Sequence, residues 1–297
     1  MTASSGHAAG MDPSEIVRLL GGVARWNEIE CLVTRAQVDA ELKSGAITRL
    51  RRGTYALGDL ADVRARAQAA AGTVSHLSAA VDHGWKVKFP PERPTLTLPR
   101  TRTLPSAELE VHWQNLGPLQ VRRGVTRPVE TVIGCARAYD LDVALCVADS
   151  ALRERAVTRA QLLAAAEASP RTARAKALRV VQAADGRSAN PFESCARAIA
   201  LDVPGLHVRP QVSIRGVGRV DLADLVLGIV VECESFEFHS DARSLKRDVR
   251  RYTSCARRGL VVVRFTWDEV MFDASYCRQA LVDVVALRLQ QAVRRSW

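Results

Sequence analysis

Residues 218–251 read GRVDLADLVLGIVVECESFEFHSDARSLKRDVRR, and this stretch decides the fold. Val220, Leu222, Leu225, Val226, Leu227, Ile229, Val230 and Val231 are strand formers, with Gly228 the turn signal among them. The pattern predicts an apolar hairpin followed by a basic helix. Set into the hairpin are Asp221, Asp224, Glu232 and Glu234. Carboxylates inside buried strands are costly unless paired or bound to a cation. Side chains alternate along a strand, so Glu232 and Glu234 share a face. An Asp on one strand and a Glu on the next offer the oxygen ligands that a hard divalent cation takes, which makes Asp221 and Glu232 candidate Mg²⁺ ligands. Such an ion polarises a phosphate and activates a water for hydrolysis.

Working outward, Asn190 is an N-cap with Pro191 at the first helical position, and the helix 191–201 carries Glu193 in its first turn. A strand over 208–214 comes before the hairpin. After it come the helix 241–258, a strand over 260–265 and a last apolar helix, 273–295, that should cover the sheet. Glu193 admits two readings, an acid facing a metal site or a first-turn acid favoured by the helix dipole.

The motif VD(x10)ExE, the Glu-bearing helix before it and Phe236-Glu237-Phe238-His239 after it resemble the PD-(D/E)XK nuclease superfamily, in its branch related to very-short-patch-repair endonucleases. The resemblance covers about a hundred residues, the scale of one domain. It implies a restriction-endonuclease-like mixed sheet flanked by helices. It also implies a catalytic set of Glu193, Asp221, Glu232, Glu234 and His239. The chain departs from the family where Glu234 stands at the lysine position; His239 or Lys246 would supply the missing polar group, or the fold is retained with an inactive site. In the helix 241–258, Arg243, Lys246, Arg247 and Arg250 form a basic side suited to a DNA backbone, or a solvated face pairing with Asp241 and Asp248.

The chain has 297 residues, enough for two or three domains. Its net charge of +10 favours polyanionic partners. No apolar run approaches the ~20 residues of a membrane helix, and the first fifteen residues lack the pattern of a signal peptide and read as a flexible leader. Seven scattered cysteines without a C-x-x-C pair point to reduced thiols and a cytoplasmic location.

At the other end, residues 11–60 read as three short helices and a basic hairpin. The first helix opens at Asp12-Pro13-Ser14-Glu15 and the second spans 23–31; the third starts at the capping box Thr34-Arg35-Ala36-Gln37. The hairpin tip holds Arg49, Arg51, Arg52 and Gly53, with Tyr55 on the return. The expectation is a winged helix-turn-helix. Arg35, Gln37 and Lys43 of the third helix would face a DNA groove, and Arg49, Arg51 and Arg52, beside Tyr55, would hold the backbone.

Arg51-Arg52-Gly53-Thr54-Tyr55-Ala56-Leu57 is similar to the end of the N-terminal domain of AbiEi-type antitoxins, and Ser75–Gly84 and Val147–Thr158 resemble that family's second domain. The resemblance implies a cytoplasmic protein that binds double-stranded DNA at its own operator and represses transcription. It also implies the antitoxin role in a type IV toxin-antitoxin pair, opposite a nucleotidyltransferase toxin with which it forms no stable complex. His76 and His83, seven apart, read either as a metal pair or, more simply, as polar packing of a helix end. Residues 165–188 read as a helical linker. The expected architecture is α/β (α+β): a winged helix over 1–60, an α/β connector over 61–186 and a restriction-endonuclease-like domain over 187–297. The functions in competition are a DNA-binding autorepressor, a Mg²⁺-dependent DNA endonuclease and a protein-interaction module.

Overall fold

The computed structural model describes residues 11–102, 108–234 and 242–295, with backbone alone at 60, 61, 242–248 and 293–295. Among the described residues the protein is a mixed α/β fold of thirteen α-helices and three sheets.

The first part runs α1 (Pro13–Leu19), β1 (Val23–Arg25), α2 (Trp26–Ile29), α3 (Arg35–Ser44), β2 (Ile47–Arg51) and β3 (Thr54–Leu57). The capping box forms as read: Thr34 accepts the Gln37 backbone N–H while Gln37 Oε1 accepts the Thr34 N–H at 2.8 Å. Gly45, at φ 78°, ends α3 in the left-handed conformation that glycine adopts without a Cβ clash. The predicted second helix is only half helix. Val23–Arg25 instead pair with Ala56–Thr54, giving the antiparallel order β1-β3-β2. A two-stranded hairpin is marginal alone, and this third strand lets Ala24, Ile47 and Tyr55 close over Ile16, Val17, Ile29 and Val38.

The middle part runs α4 (Leu60–Ala69), β4 (Thr73–Val74), α5 (His76–Asp82), β5 (Thr95–Leu98), β6 (Glu110–Trp113), β7 (Val121–Arg122), β8 (Val125–Thr126), α6 (Pro128–Ala138), α7 (Leu141–Arg153), α8 (Arg159–Glu167) and α9 (Arg174–Ala183). The strands pair in the order β6-β5-β4-β8-β7. Residues 165–188 are not a linker. Ala177, Val180 and Val181, at helical spacing on α9, are buried with Val132, Leu145, Val147 and Leu162 of α6, α7 and α8.

The last part runs α10 (Pro191–Leu201), β9 (Arg209–Ile214), β10 (Gly218–Asp224), β11 (Ile229–Glu234), α11 (Ala242–Ala256), β12 (Val261–Thr266), α12 (Trp267–Phe272) and α13 (Ala274–Arg295). The sheet order is β12-β11-β10-β9. β9, β10 and β11 are antiparallel, and β12 joins β11 in parallel after the crossover through α11. Leu225 and Val226 are not strand residues: they are 59% and 97% exposed in the turn. Asp224 shapes that turn, its carboxylate accepting the N–H groups of Val226 at 2.9 Å and Leu227 at 3.0 Å.

α10 is fastened to α7 by a buried polar knot. Asp149 accepts from Arg197 Nη2 at 2.6 Å, Ser194 Oγ at 2.7 Å and the Asp185 N–H at 2.7 Å. The two thiols Cys146 and Cys195 touch beside it at 3.5 Å. The seven cysteines are unpaired.

Candidate functional site

Three of the predicted acids meet at the junction of α10, β9, β10 and β11. Asn190 caps α10, its Oδ1 accepting the Glu193 N–H at 2.9 Å. Glu193 Oε2 returns to accept the Ala189 N–H at 2.9 Å. It also accepts from Gln211 Nε2 at 2.8 Å, and the same nitrogen lies 3.5 Å from Asp221 Oδ1. Glu193 thus caps its own helix and lies beside Asp221 across the Gln211 amide. Burial, and then the charge on Asp221, raise the Glu193 carboxyl to about 7.

Asp221 and Glu232 stand next to each other because β10 and β11 are paired. The other Asp221 oxygen accepts the Cys233 N–H at 2.9 Å. Burial, with Asp221 close by, pushes Glu232 up to about 7, against the pull of Arg251. Two buried carboxyls raised in this way, with a third acid between them, are the pattern of a functional site as much as of a structural one. The donors are hard oxygens of the kind Mg²⁺ takes. Their spacing is another matter: among the described residues no group of three or more His, Cys, Asp or Glu is placed to hold a metal ion. Arg251 brings a positive charge to the site and donates to Glu232.

Arg251 and Gln211 were not singled out by the sequence. Arg251 follows Arg250 in a helix rich in arginine, and only the packing of α11 on the sheet separates them: Arg250 is exposed while Arg251 reaches inward. Gln211 carries a backbone signature visible only in three dimensions. It sits inside β9 at φ 55°, left-handed for a residue with a side chain.

Glu234, expected in the catalytic set, is directed elsewhere. It accepts from Tyr252 Oη and from Arg264 Nε at 2.9 Å, which ties β11 to α11 and β12. His239 lies outside the described residues. Arg243, Lys246 and Arg247 lie on α11, but their side chains are outside the described set.

The candidate DNA-contacting residues of the first part separate into four groups. Lys43, Arg49 and Arg52 are exposed. Arg35, also exposed, places its guanidinium carbon 3.6 Å from the centre of the Trp26 ring, and Gln37 is engaged in its capping box. Tyr55 is a correction: at 1% exposure it is a core residue, packed under the hairpin because it sits on the inward side of β3. Arg51 keeps 62% of its side chain exposed while reaching Glu154 at 3.3 Å, beside Arg25, which pairs with the same carboxylate at 2.6 Å.

His76 and His83 both take part in polar packing at the ends of α5. His76 begins α5, and His83 stands after its end and bonds the Thr126 carbonyl at 2.8 Å. His76 also stacks on His112 with ring centroids 3.6 Å apart.

The structure thus defines a mixed α/β protein with a cluster of buried carboxylates. No protein-family model matches the chain. Two uncharacterized proteins of Mycobacterium tuberculosis, Rv2248 of strain H37Rv and MT2308 of strain CDC 1551, are each 30% identical to it over 256 residues, covering 80% of this chain and 92% of theirs. The chain belongs to the family of these uncharacterized mycobacterial proteins. A solved structure, that of the Rv2827c protein from Mycobacterium tuberculosis, is 18% identical with a TM-score of 0.29, over 67% of this chain and 84% of that one. A likeness that slight carries no argument. No described helix is long and apolar enough to cross a membrane.

Proposed function

We propose that the protein binds double-stranded DNA through a winged helix formed by residues 11–60 and represses its own transcription, as the cytoplasmic antitoxin of a type IV toxin-antitoxin pair. Its toxin would be a nucleotidyltransferase. One observation carries the DNA-binding reading. The element order α1-β1-α2-α3-β2-β3, with the sheet order β1-β3-β2, leaves α3 and the hairpin tip on the surface. Lys43 of α3 and Arg49 and Arg52 of the hairpin are exposed there, the placement by which a recognition helix enters the major groove while a wing meets phosphates. A gel shift with the DNA upstream of the protein's own gene tests this. Binding is expected, and Lys43→Ala with Arg52→Ala should abolish it without changing the fold; undiminished binding by that variant removes the reading.

A second reading is a divalent-metal-dependent DNA endonuclease. The meeting of Glu193, Asp221 and Glu232 favours it. Against it stands the direction of Glu234 away from the cluster. Supercoiled plasmid incubated with the protein and Mg²⁺ or Mn²⁺ decides the matter. Nicking that disappears in Asp221→Ala supports an enzyme; nicking no greater than that of the variant excludes one.

A further inference from the structure

A cleft lies where the three parts meet. It has a volume of about 450 Å³ and is lined by Arg25, Arg51, Lys86, Arg153, Arg187 and Arg219. Two acids, Glu28 and Glu154, also face it. Glu28 is paired with Lys86 and Asp185 holds Arg187, so the lining keeps an excess of positive charge. Glu154 serves both Arg25 and Arg51, one carboxylate for two guanidiniums. Arg153 donates to uncharged groups, the Ser188 carbonyl at 2.6 Å and Ser150 Oγ at 3.0 Å. A concave surface carrying one sign of charge focuses its field and concentrates the opposite charge.

The far wall of the cleft is Gln211, whose amide is bonded to Glu193 and faces Asp221. Gln211 therefore stands between the basic cleft and the carboxylate cluster. The left-handed backbone of Gln211 is a strained conformation of the kind retained at ligand sites.

We propose that this cleft holds the sugar-phosphate backbone of a single nucleic-acid strand and runs it past Gln211. Three features select that ligand. The charge calls for an anion. The volume is that of a small-ligand cleft, roughly 300–1,000 Å³, too small to seat a duplex. Finally, among the described residues the lining contains no aromatic ring on which a base would stack, so recognition falls on phosphate and sugar and is independent of sequence. The site is distinct from the α3 face proposed to read duplex DNA.

Fluorescence anisotropy of the full chain with a short, labelled, mixed-sequence single strand tests the proposal. Arg187 and Arg219 are exposed, so Arg187→Ala with Arg219→Ala leaves the core untouched; thermal melts verify that the variant is folded. The variant should bind the strand about tenfold more weakly. Its slope of log affinity against log salt should fall by about 1.4, or about 0.7 for each phosphate that no longer meets a guanidinium. Arg171→Ala, at an exposed arginine outside the cleft, should leave strand binding unchanged. Equal strand affinity in the cleft variant and the wild type overturns the proposal, as does a wild type that binds no strand. Displacement of the label by ATP as effectively as by unlabelled strand overturns it in favour of a free nucleotide. The duplex gel shift is read separately, so its failure bears on α3 alone.

Discussion

Arg251 donates its guanidinium to the carboxylate of Glu232, so the helix after the hairpin supplies a cation where the strand itself carries acid after acid. Glu232 is 4% exposed, and a buried carboxylate left without its partner is expensive. Arg251→Ala should therefore cost about 3 kcal/mol of folding stability in urea titrations. Arg251→Lys should recover part of that loss. A loss under about 0.5 kcal/mol, the size of an ordinary surface effect, would show that the pair does not hold the cluster.

Gln211 gives a second, opposite-signed expectation. Its φ of 55° costs about 1–2 kcal/mol for any residue with a Cβ and little for glycine. Gln211→Ala loses the amide and keeps the strain, whereas Gln211→Gly loses the amide and releases it. The glycine variant should be the more stable of the two by about 1 kcal/mol. Identical stabilities would mean that the backbone relaxes once the amide is gone.

The knot between α7 and α10 predicts a larger effect. Arg197 and Asp149 are both fully enclosed, with 4% and 0% of their side chains exposed. Arg197→Ala strands the carboxylate and should cost about 3–5 kcal/mol. Because the pair joins the middle helices to the last sheet, hydrogen exchange in α10 should accelerate more than exchange in α3. Uniform acceleration across the chain would argue that the pair is not specific to that junction.

His76 sets a pH dependence. Its burial, followed by the nearness of His112 and Arg137, depresses its pKa well below the ordinary imidazole value. As pH falls through about 6.5 the unfolded chain takes up a proton at this position and the folded chain does not. The contribution is thus complete above that pH and lost below it, by up to about 1.4 kcal/mol for each pH unit. His76→Asn, which tolerates the local φ of 49°, should flatten the decline between about pH 7 and about pH 5. Parallel declines in the two proteins would mean that the imidazole is protonated in the folded state.

Much of this architecture is legible in the chain because it rests on local chemistry. The Thr34–Gln37 and Thr158–Gln161 capping boxes, the cap at Asn190 and the hairpin around Gly228 all form where the residues place them. Each depends on contacts within a few positions, so neighbouring residues suffice to specify it. The meeting of Asp221 and Glu232 is legible for a related reason: strand pairing across a short turn converts sequence order into position.

Other features are decided by contacts between distant segments. Val23–Arg25 become a strand only because β3 lies alongside, and Ala177, Val180 and Val181 become core only because α6 and α7 have a surface to cover. Tyr55 and Arg51 are two residues of one motif, yet one is buried and the other crosses to Glu154. Arg251 is distinguished from Arg250 by which side of α11 meets the sheet, and Gln211 by a backbone twist that no propensity scale encodes. The sequence by itself determined the class of fold, the caps and the acids set into the hairpin, because those follow from short-range hydrogen bonding and periodicity. Only the tertiary structure decided which charge answers each acid and where the cleft opens, because both depend on residues far apart in the chain lowering their electrostatic energy together.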